Sequence, residues 1–124
     1  MPVFSDDGIR DTGFVLSEAN FHRSRDNIII ASGSGVVKAG TLLGKVTASG
    51  KFKPSPATGA TGEETAVALP LYTVDATDAD VPVAAITRQA EVKKGFLTYE
   101  ATVNDDTKKA AKATQLAGVG IIVR

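Results

Sequence analysis

The central stretch VVKAGTLLGKVTASGKFKPSPATGATG, residues 36–62, changes character halfway along. An apolar, strand-like run broken by Gly40 and Gly44 gives way to a loop of Gly, Ser, Thr, Ala and Pro. The pattern predicts a turn at residues 38–40, a strand over residues 42–47 and a long surface loop over residues 48–64. Strands and turns therefore organise the centre of the chain.

Further strands are predicted on both sides of this stretch. Residues 28–31 form a short β-branched run, and residues 65–74 a strand in which Pro70 marks an edge or a bulge. Residues 81–92 are predicted as one long strand, and residues 121–124 as a terminal strand. The chain is therefore expected to be mainly β.

One short C-terminal α-helix completes the predicted fold. Asn104 or Asp105 can cap its start, Asp106 suits the first turn of the helix dipole, and Gly118 suits a left-handed end. Three lysines are predicted to line its polar side, namely Lys108, Lys109 and Lys112.

Residues 1–27 are predicted to be a flexible N-terminal arm, and residues 28–124 a single β-rich domain. The arm carries more acidic than basic residues and few apolar ones, so it cannot bury enough surface to offset its ordering entropy. Phe14, Val15 and Leu16 are the exception, a short β-prone run. Two interpretations stay open: a peptide that adds a strand to a partner, or an edge strand of the protein's own sheet.

The bulk composition narrows the possible partners. The 124 residues suit one domain, and equal numbers of acidic and basic residues give a net charge of zero, which argues against nucleic-acid binding. The chain has no cysteine and no apolar run near the roughly 20 residues that span a bilayer, so we expect no thiolate metal site and no membrane. No secretory signal is expected either, which predicts synthesis in a cytoplasm. Abundant small residues suggest stabilisation by partners or oligomerisation.

Catalytic and cofactor motifs are not found. A Walker loop needs four residues between its glycines, whereas Gly40 and Gly44 enclose three, and Val46 stands where the hydroxyl should be. The single histidine, His22, lies in the predicted arm. The carboxylate-rich runs at residues 75–80 and 104–109 lack the EF-hand spacing. We therefore predict no enzyme, no cofactor and no metal.

The run VKAGTLLGKV has the rhythm of a biotinyl or lipoyl carrier domain, a small β-sandwich with a modified lysine on a hairpin. Lys45 lies inside a predicted strand, and Lys51 lacks the neighbours that a ligase recognises. A binding module that resembles a degenerate carrier domain is therefore kept as the alternative function.

Four stretches in order resemble the head decoration, or capsid cement, proteins of lambdoid tailed bacteriophages. They are FVLSEAN (14–20), SGVVKAGTLLGKVTASGKF (34–52), ITRQAEV (86–92) and LAGVGIIVR (116–124). The resemblance implies a β-clip-like domain with long loops. It implies a homotrimer on the outer surface of the virion, at three-fold and quasi-three-fold sites of the expanded head. There the protein, synthesised in the bacterial host cytoplasm, would lock subunits of the major capsid protein against internal DNA pressure.

The resemblance also implies that the N-terminal arm orders against the capsid. We therefore expect capsid contact from Phe14, Val15, Leu16 and Ser17. Main-chain hydrogen bonds to a capsid strand would offset the entropy that each arm loses. The loop over residues 48–64 is a second candidate for contact with a capsid or neighbouring subunit, beside the alternative of a solvated loop.

Overall fold

The computed structural model describes residues 12–124, apart from the side chains of Phe21 and His22. The helices are α1 (Phe21–Ser24) and α2 (Asp106–Ala117), with a 3-10 turn at Lys94–Phe96. The strands are β1 (Val15–Glu18), β2 (Arg25–Ile30), β3 (Gly35–Val37), β4 (Leu43–Lys45), β5 (Phe52–Pro54), β6 (Ala66–Pro70), β7 (Val74–Ala76), β8 (Val81–Ile86), β9 (Ala90–Val92) and β10 (Ile121–Val123). The prediction of a mainly β chain with a C-terminal helix is confirmed, with α1 adding a single turn.

Five strands form a small closed barrel in the order β2-β5-β4-β6-β8. β2 pairs antiparallel with β8 along its whole length, from Arg25 opposite Ile86 to Ile30 opposite Val81. The barrel is closed on the other side of β2 by a single parallel pair, Ile30 with Phe52. Apolar side chains of the barrel strands pack with residues of β3 and β7 in one core cluster. It contains Ile28, Ile30, Leu43, Ala68, Val83 and Ala85 from the barrel, and Val37 and Ala76 from β3 and β7.

The two glycines that interrupt the apolar run, Gly40 and Gly44, are required for different structural reasons. Gly40 lies in a turn and has a positive φ of 80°, a conformation that glycine adopts without steric cost. Gly44 lies within β4, where a Cβ atom would stand 1.9 Å from the carbonyl oxygen of Glu63. Gly44 therefore allows the long loop to pass directly over the barrel wall.

A three-stranded sheet stands beside the barrel in the order β1-β9-β10. Its central strand β9 is antiparallel to β1 and parallel to β10. The helix α2 contacts β10 and β6, so that it joins the sheet to the barrel. A second core cluster lies between these elements and contains Phe14, Leu42, Ala66, Leu69, Leu71, Ile86, Ala90, Val92, Leu116 and Ile121. β3 and β7 form a separate antiparallel pair.

Three predicted strand and loop bounds are wrong. The expected strand over residues 65–74 is divided into β6, which ends at Pro70, and β7, which begins at Val74 in a different sheet. The expected strand over residues 81–92 is divided into β8 and β9, which belong to different sheets. The chain turns between them at Gln89, whose φ is 51°, while Arg88 and Thr87 bond to Asp26 of β2. The predicted loop over residues 48–64 contains β5, which pairs with β4. The strand errors arise because continuous β-prone residues do not indicate which sheet they join. The loop error arises because β5 is only three residues long and lies among Gly, Ser, Ala and Pro, which have the composition of a loop.

The helix signals are mostly confirmed. Asp105 is the N-cap, and its side chain accepts a hydrogen bond from the Lys108 amide at 2.8 Å. Two details are wrong. Gly118 is right-handed, with φ −63°, and the left-handed residue is Gly120. Lys112 does not lie on the polar side but is buried.

Candidate interaction surface

Phe14 is part of the core. Its side chain is 1% exposed and packs in the cluster that contains Val92 and Leu116. A Cβ atom on Gly40 would stand 3.1 Å from the Phe14 ring, so the glycine makes room for that ring. The Lys93 amide donates to the Phe14 carbonyl oxygen at 2.7 Å. Phe14 therefore anchors the chain and has no surface to offer a partner in this conformation.

The next residues form β1, an edge strand of the protein's own sheet. Val15 pairs with Val92, and Ser17 with Glu91, so Leu16 is an extra residue in a β-bulge. A bulge sets two residues opposite one on the neighbouring strand, and both Leu16 and Ser17 are exposed. Of the two interpretations left open by the sequence, the structure gives the edge strand for Val15 to Glu18.

Leu16, Ser17, Glu91 and Ile122 together form the outer sheet face, the side of the three-stranded sheet that points away from the core. Leu16 is 49% exposed and Ile122 is 40% exposed. Ile122 stands opposite Glu91 in the parallel ladder, and Ser17 stands opposite it in the antiparallel one. The outer sheet face therefore carries apolar side chains on both outer strands, with a carboxylate between them.

A depression of about 260 Å³ lies in the outer sheet face, next to the turn before β9. Its wall includes Gln89 and Gly120, which both have positive φ. A Cβ atom on Gly120 would stand 3.2 Å from the Gln89 amide nitrogen, so glycine lets the two backbones approach closely. The depression is shallow, and its wall carries both polar and apolar residues.

Charged groups hold the ends of the outer sheet face in place. Arg25 binds both carboxylate oxygens of Glu18, and the buried Ser24 hydroxyl donates to Glu18 Oε2 at 2.6 Å. The hydrogen bond from Arg25 lowers the pKa of Glu18 below its ordinary value. Arg124 Nε lies 3.2 Å from Glu91 Oε2. The end of β1 is therefore fastened to the start of β2.

The loop that was the second predicted contact is fastened from beneath by α2. Lys112 is 2% exposed, and its ammonium donates to Ser55 Oγ at 2.8 Å and to the carbonyl oxygens of Pro56 and Glu64 at 2.5 Å. Burial lowers the pKa of Lys112. The sequence carried a signal for the burial of Lys112, because Lys112 lies four residues before the core residue Leu116 and so shares its helix face. Within the predicted loop over residues 48–64, the continuous exposed runs are residues 48–50 and residues 58–61.

The predicted arm is only partly covered by the structure. Residues 1–11 lie outside the described residues. β2 begins at Arg25, so one strand crosses the predicted division between residues 27 and 28. The division itself, and flexibility of the arm in the free protein, stay predictions.

Three features are absent from residues 12–124 as far as the structure describes them. In this range no group of three or more His, Asp or Glu side chains could hold a metal ion. Every buried side-chain nitrogen or oxygen described has a hydrogen-bond partner. Neither described helix has the length and apolarity to cross a membrane.

Comparison with known proteins gives one result. The family model for bacteriophage lambda head decoration protein D matches residues 6–121, which is nearly the whole chain. A search among curated proteins found no match.

Proposed function

The chain belongs to the bacteriophage lambda head decoration protein D family, and we propose that it binds as a homotrimer to the outside of the expanded phage head. The family is one of structural capsid proteins, so the chain is a virion protein and not an enzyme. In our proposal, each trimer occupies a three-fold or quasi-three-fold site. There it links neighbouring subunits of the major capsid protein and stabilises the shell against internal DNA pressure.

The observation that carries the proposal is the pair of exposed apolar side chains on the outer sheet face. Leu16 and Ile122 stand on strands whose other side is packed into the core, so their positions are fixed before any partner binds. A preorganised surface loses little entropy on binding. Three copies on one trimer would add avidity to a contact that is modest in each protomer.

This proposal refines the role expected for residues 14–17. Phe14 and Val15 hold β1 on the sheet, whereas Leu16 and Ser17 present side chains to the capsid. A bulge, and a charged residue at the strand end such as Glu18, are features that disfavour pairing at a sheet edge. We therefore propose contact through side chains at β1 instead of strand addition there.

The proposal is tested by mixing the protein with expanded, undecorated heads of its own phage and determining occupancy of the three-folds by cryo-EM. Empty three-folds at saturating wild-type protein would reject the function. In the same assay, Leu16→Ala should remove about 1 kcal/mol of apolar contact per protomer, or about 3 kcal/mol per trimer. That loss corresponds to roughly 150-fold weaker binding.

The matched control is Val36→Ala, which truncates a side chain that is 63% exposed on β3, in a different sheet. Its binding should stay within about twofold of wild type. Equal losses for both variants would mean that the outer sheet face has no special role.

The alternative of a degenerate carrier domain has no observation in its favour. Lys51, the lysine nearest to a hairpin position, pairs with Asp80 at 2.5 Å and lacks the neighbours that a ligase recognises. Lys45 is the last residue of β4.

A further inference from the structure

One edge of β2 is left without a neighbouring strand. On one side the strand pairs with β8 at all six positions. On the other side only Ile30, its last residue, pairs with β5, and the two strands run parallel, so β5 begins where β2 ends. No strand in the described part of the chain pairs with residues 26–29 on this side.

A cleft of about 610 Å³ occupies the empty position, and we call it the β2 cleft. It is lined by residues 26–29 along one wall and by the β4–β5 turn along the other. Its apolar lining comes from Ile28, Ile29, Phe52, Val67 and Val119. Ile29 is 46% exposed, so a partner could cover its side chain.

The backbone of β2 offers hydrogen-bonding groups to the β2 cleft. The Thr87 amide donates to the Ser24 carbonyl oxygen at 2.9 Å, which fixes the phase of the β2–β8 ladder. Because hydrogen-bonded and non-hydrogen-bonded pairs alternate, Asp26 and Ile28 bond to β8. Asn27 then directs both its N–H and its C=O into the β2 cleft.

Some of the charged side chains around the β2 cleft have an ion-pair partner in the described part of the chain, and one lysine does not. Asp26 is paired with Arg88, and Lys51 with Asp80. Lys45 also lines the cleft and is exposed, and no carboxylate in residues 12–124 lies within ion-pair distance of it. The free charge at the cleft is therefore positive.

We propose that the β2 cleft binds an extended segment of the capsid shell as an additional strand on β2, with an acidic residue beside Lys45. This inference rests on the proposed function and adds a second contact, separate from the outer sheet face. Four residues of extended chain span roughly 13 Å, the length of the free edge. Backbone hydrogen bonds to Asn27 would set the register of the added strand on β2, and an apolar side chain of that strand would cover Ile29.

The test uses charge reversal in the binding assay with expanded heads. Lys45→Glu should weaken binding at least tenfold, because it sets a carboxylate against the acidic residue of the partner. The control Lys38→Glu reverses an exposed lysine that does not line the cleft, and its binding should stay within about twofold of wild type. Unchanged binding of Lys45→Glu would overturn the inference while leaving the proposed function standing.

A second variant tests the backbone contact. Asn27→Pro removes the N–H that faces the β2 cleft and none that faces β8, so the barrel ladder is kept. Its circular dichroism spectrum should match wild type, and its binding should fall more than tenfold. If it does not fold, the Lys45→Glu result decides alone.

A cryo-EM map of decorated heads identifies the occupant. Extended density from the capsid protein beside residues 26–29 is the expected result. Solvent in the cleft of a bound protein would overturn the inference, and density from a second decoration protomer would assign the cleft to a copy of this chain instead. Wild-type protein that leaves the heads bare would reject the proposed function together with this inference.

Discussion

Replacing Phe14 by alanine is expected to lower the free energy of unfolding by about 3–4 kcal/mol. Phe14 is 1% exposed and lies in the core beside Val92 and Leu116. A phenylalanine buries roughly 150–250 Å², and the loss of most of that area, at about 25 cal/mol per Å², already amounts to about 3 kcal/mol. The cavity left against Gly40 adds to this loss, which keeps the total within the range of about 3–5 kcal/mol seen for such truncations.

The measurement is urea unfolding followed by circular dichroism, at one protomer concentration, since association would otherwise shift the apparent stability. Leu16→Ala is the matched control, because Leu16 lies two residues further along the chain and its side chain is 49% exposed. It should change the unfolding free energy by less than about 0.5 kcal/mol.

The two variants distinguish a residue that holds the strand in the fold from a residue that contacts the phage head. Phe14→Ala should destabilise the fold, whereas Leu16→Ala should spare the fold and weaken head binding. A loss below about 1 kcal/mol for Phe14→Ala would refute the reasoning, because it would mean that residues 14–18 contribute no more to the folded domain than a free arm does.

Three further predictions concern the loop, the barrel wall and the β1 clasp. Lys112→Met leaves three acceptors without their donor, so it should lower the free energy of unfolding by about 2–3 kcal/mol and speed amide exchange over residues 55–64. Lys108→Met, on the exposed start of the same helix, should have neither effect. Equal effects of the two variants would contradict the role given to the Lys112 ammonium. Gly44→Ala places a Cβ atom 1.9 Å from the Glu63 oxygen and should cost more than about 3 kcal/mol in thermal unfolding, or prevent folding, whereas Gly95→Ala, which meets nothing within 4 Å, should cost under about 1 kcal/mol. Glu18 has a folded-state pKa below its ordinary 4.5, so its stabilisation is complete above that pH and is lost as the pH falls through the lower folded-state value. Glu18→Gln should therefore be less stable than wild type at pH 6 and should flatten the acid limb of the stability curve; an unchanged limb would mean that the clasp with Arg25 does not form.

For the candidate contact residues 14–17, the sequence predicted a β-prone run but did not indicate which of its side chains are buried. The β-prone run at residues 14–16 marked the strand correctly. Alternation alone cannot tell which side of a lone strand is buried, and the bulge at Leu16 shifts that alternation by one residue. The separation of Phe14 as an anchor from Leu16 as an exposed side chain therefore needed the pairing with β9.

The sequence alone determined the features that depend on near neighbours along the chain. The Asp105 cap, the mainly β composition and the turn at Gly40 each follow from residues a few positions apart, because capping and turn geometry are local. The order of four short stretches determined the family. These properties need no knowledge of which strand meets which.

The tertiary structure decided the features that depend on distant pairing. Lys112 is buried because the chain at residues 55–64 passes over α2 and supplies its acceptors. Residues 81–92 divide because Arg88 reaches Asp26, 62 positions away, and the β2 cleft exists because β5 meets β2 at one residue only. Burial and strand pairing depend on which elements come together in space. Because these elements are tens of residues apart in the chain, local sequence patterns do not indicate that they are in contact.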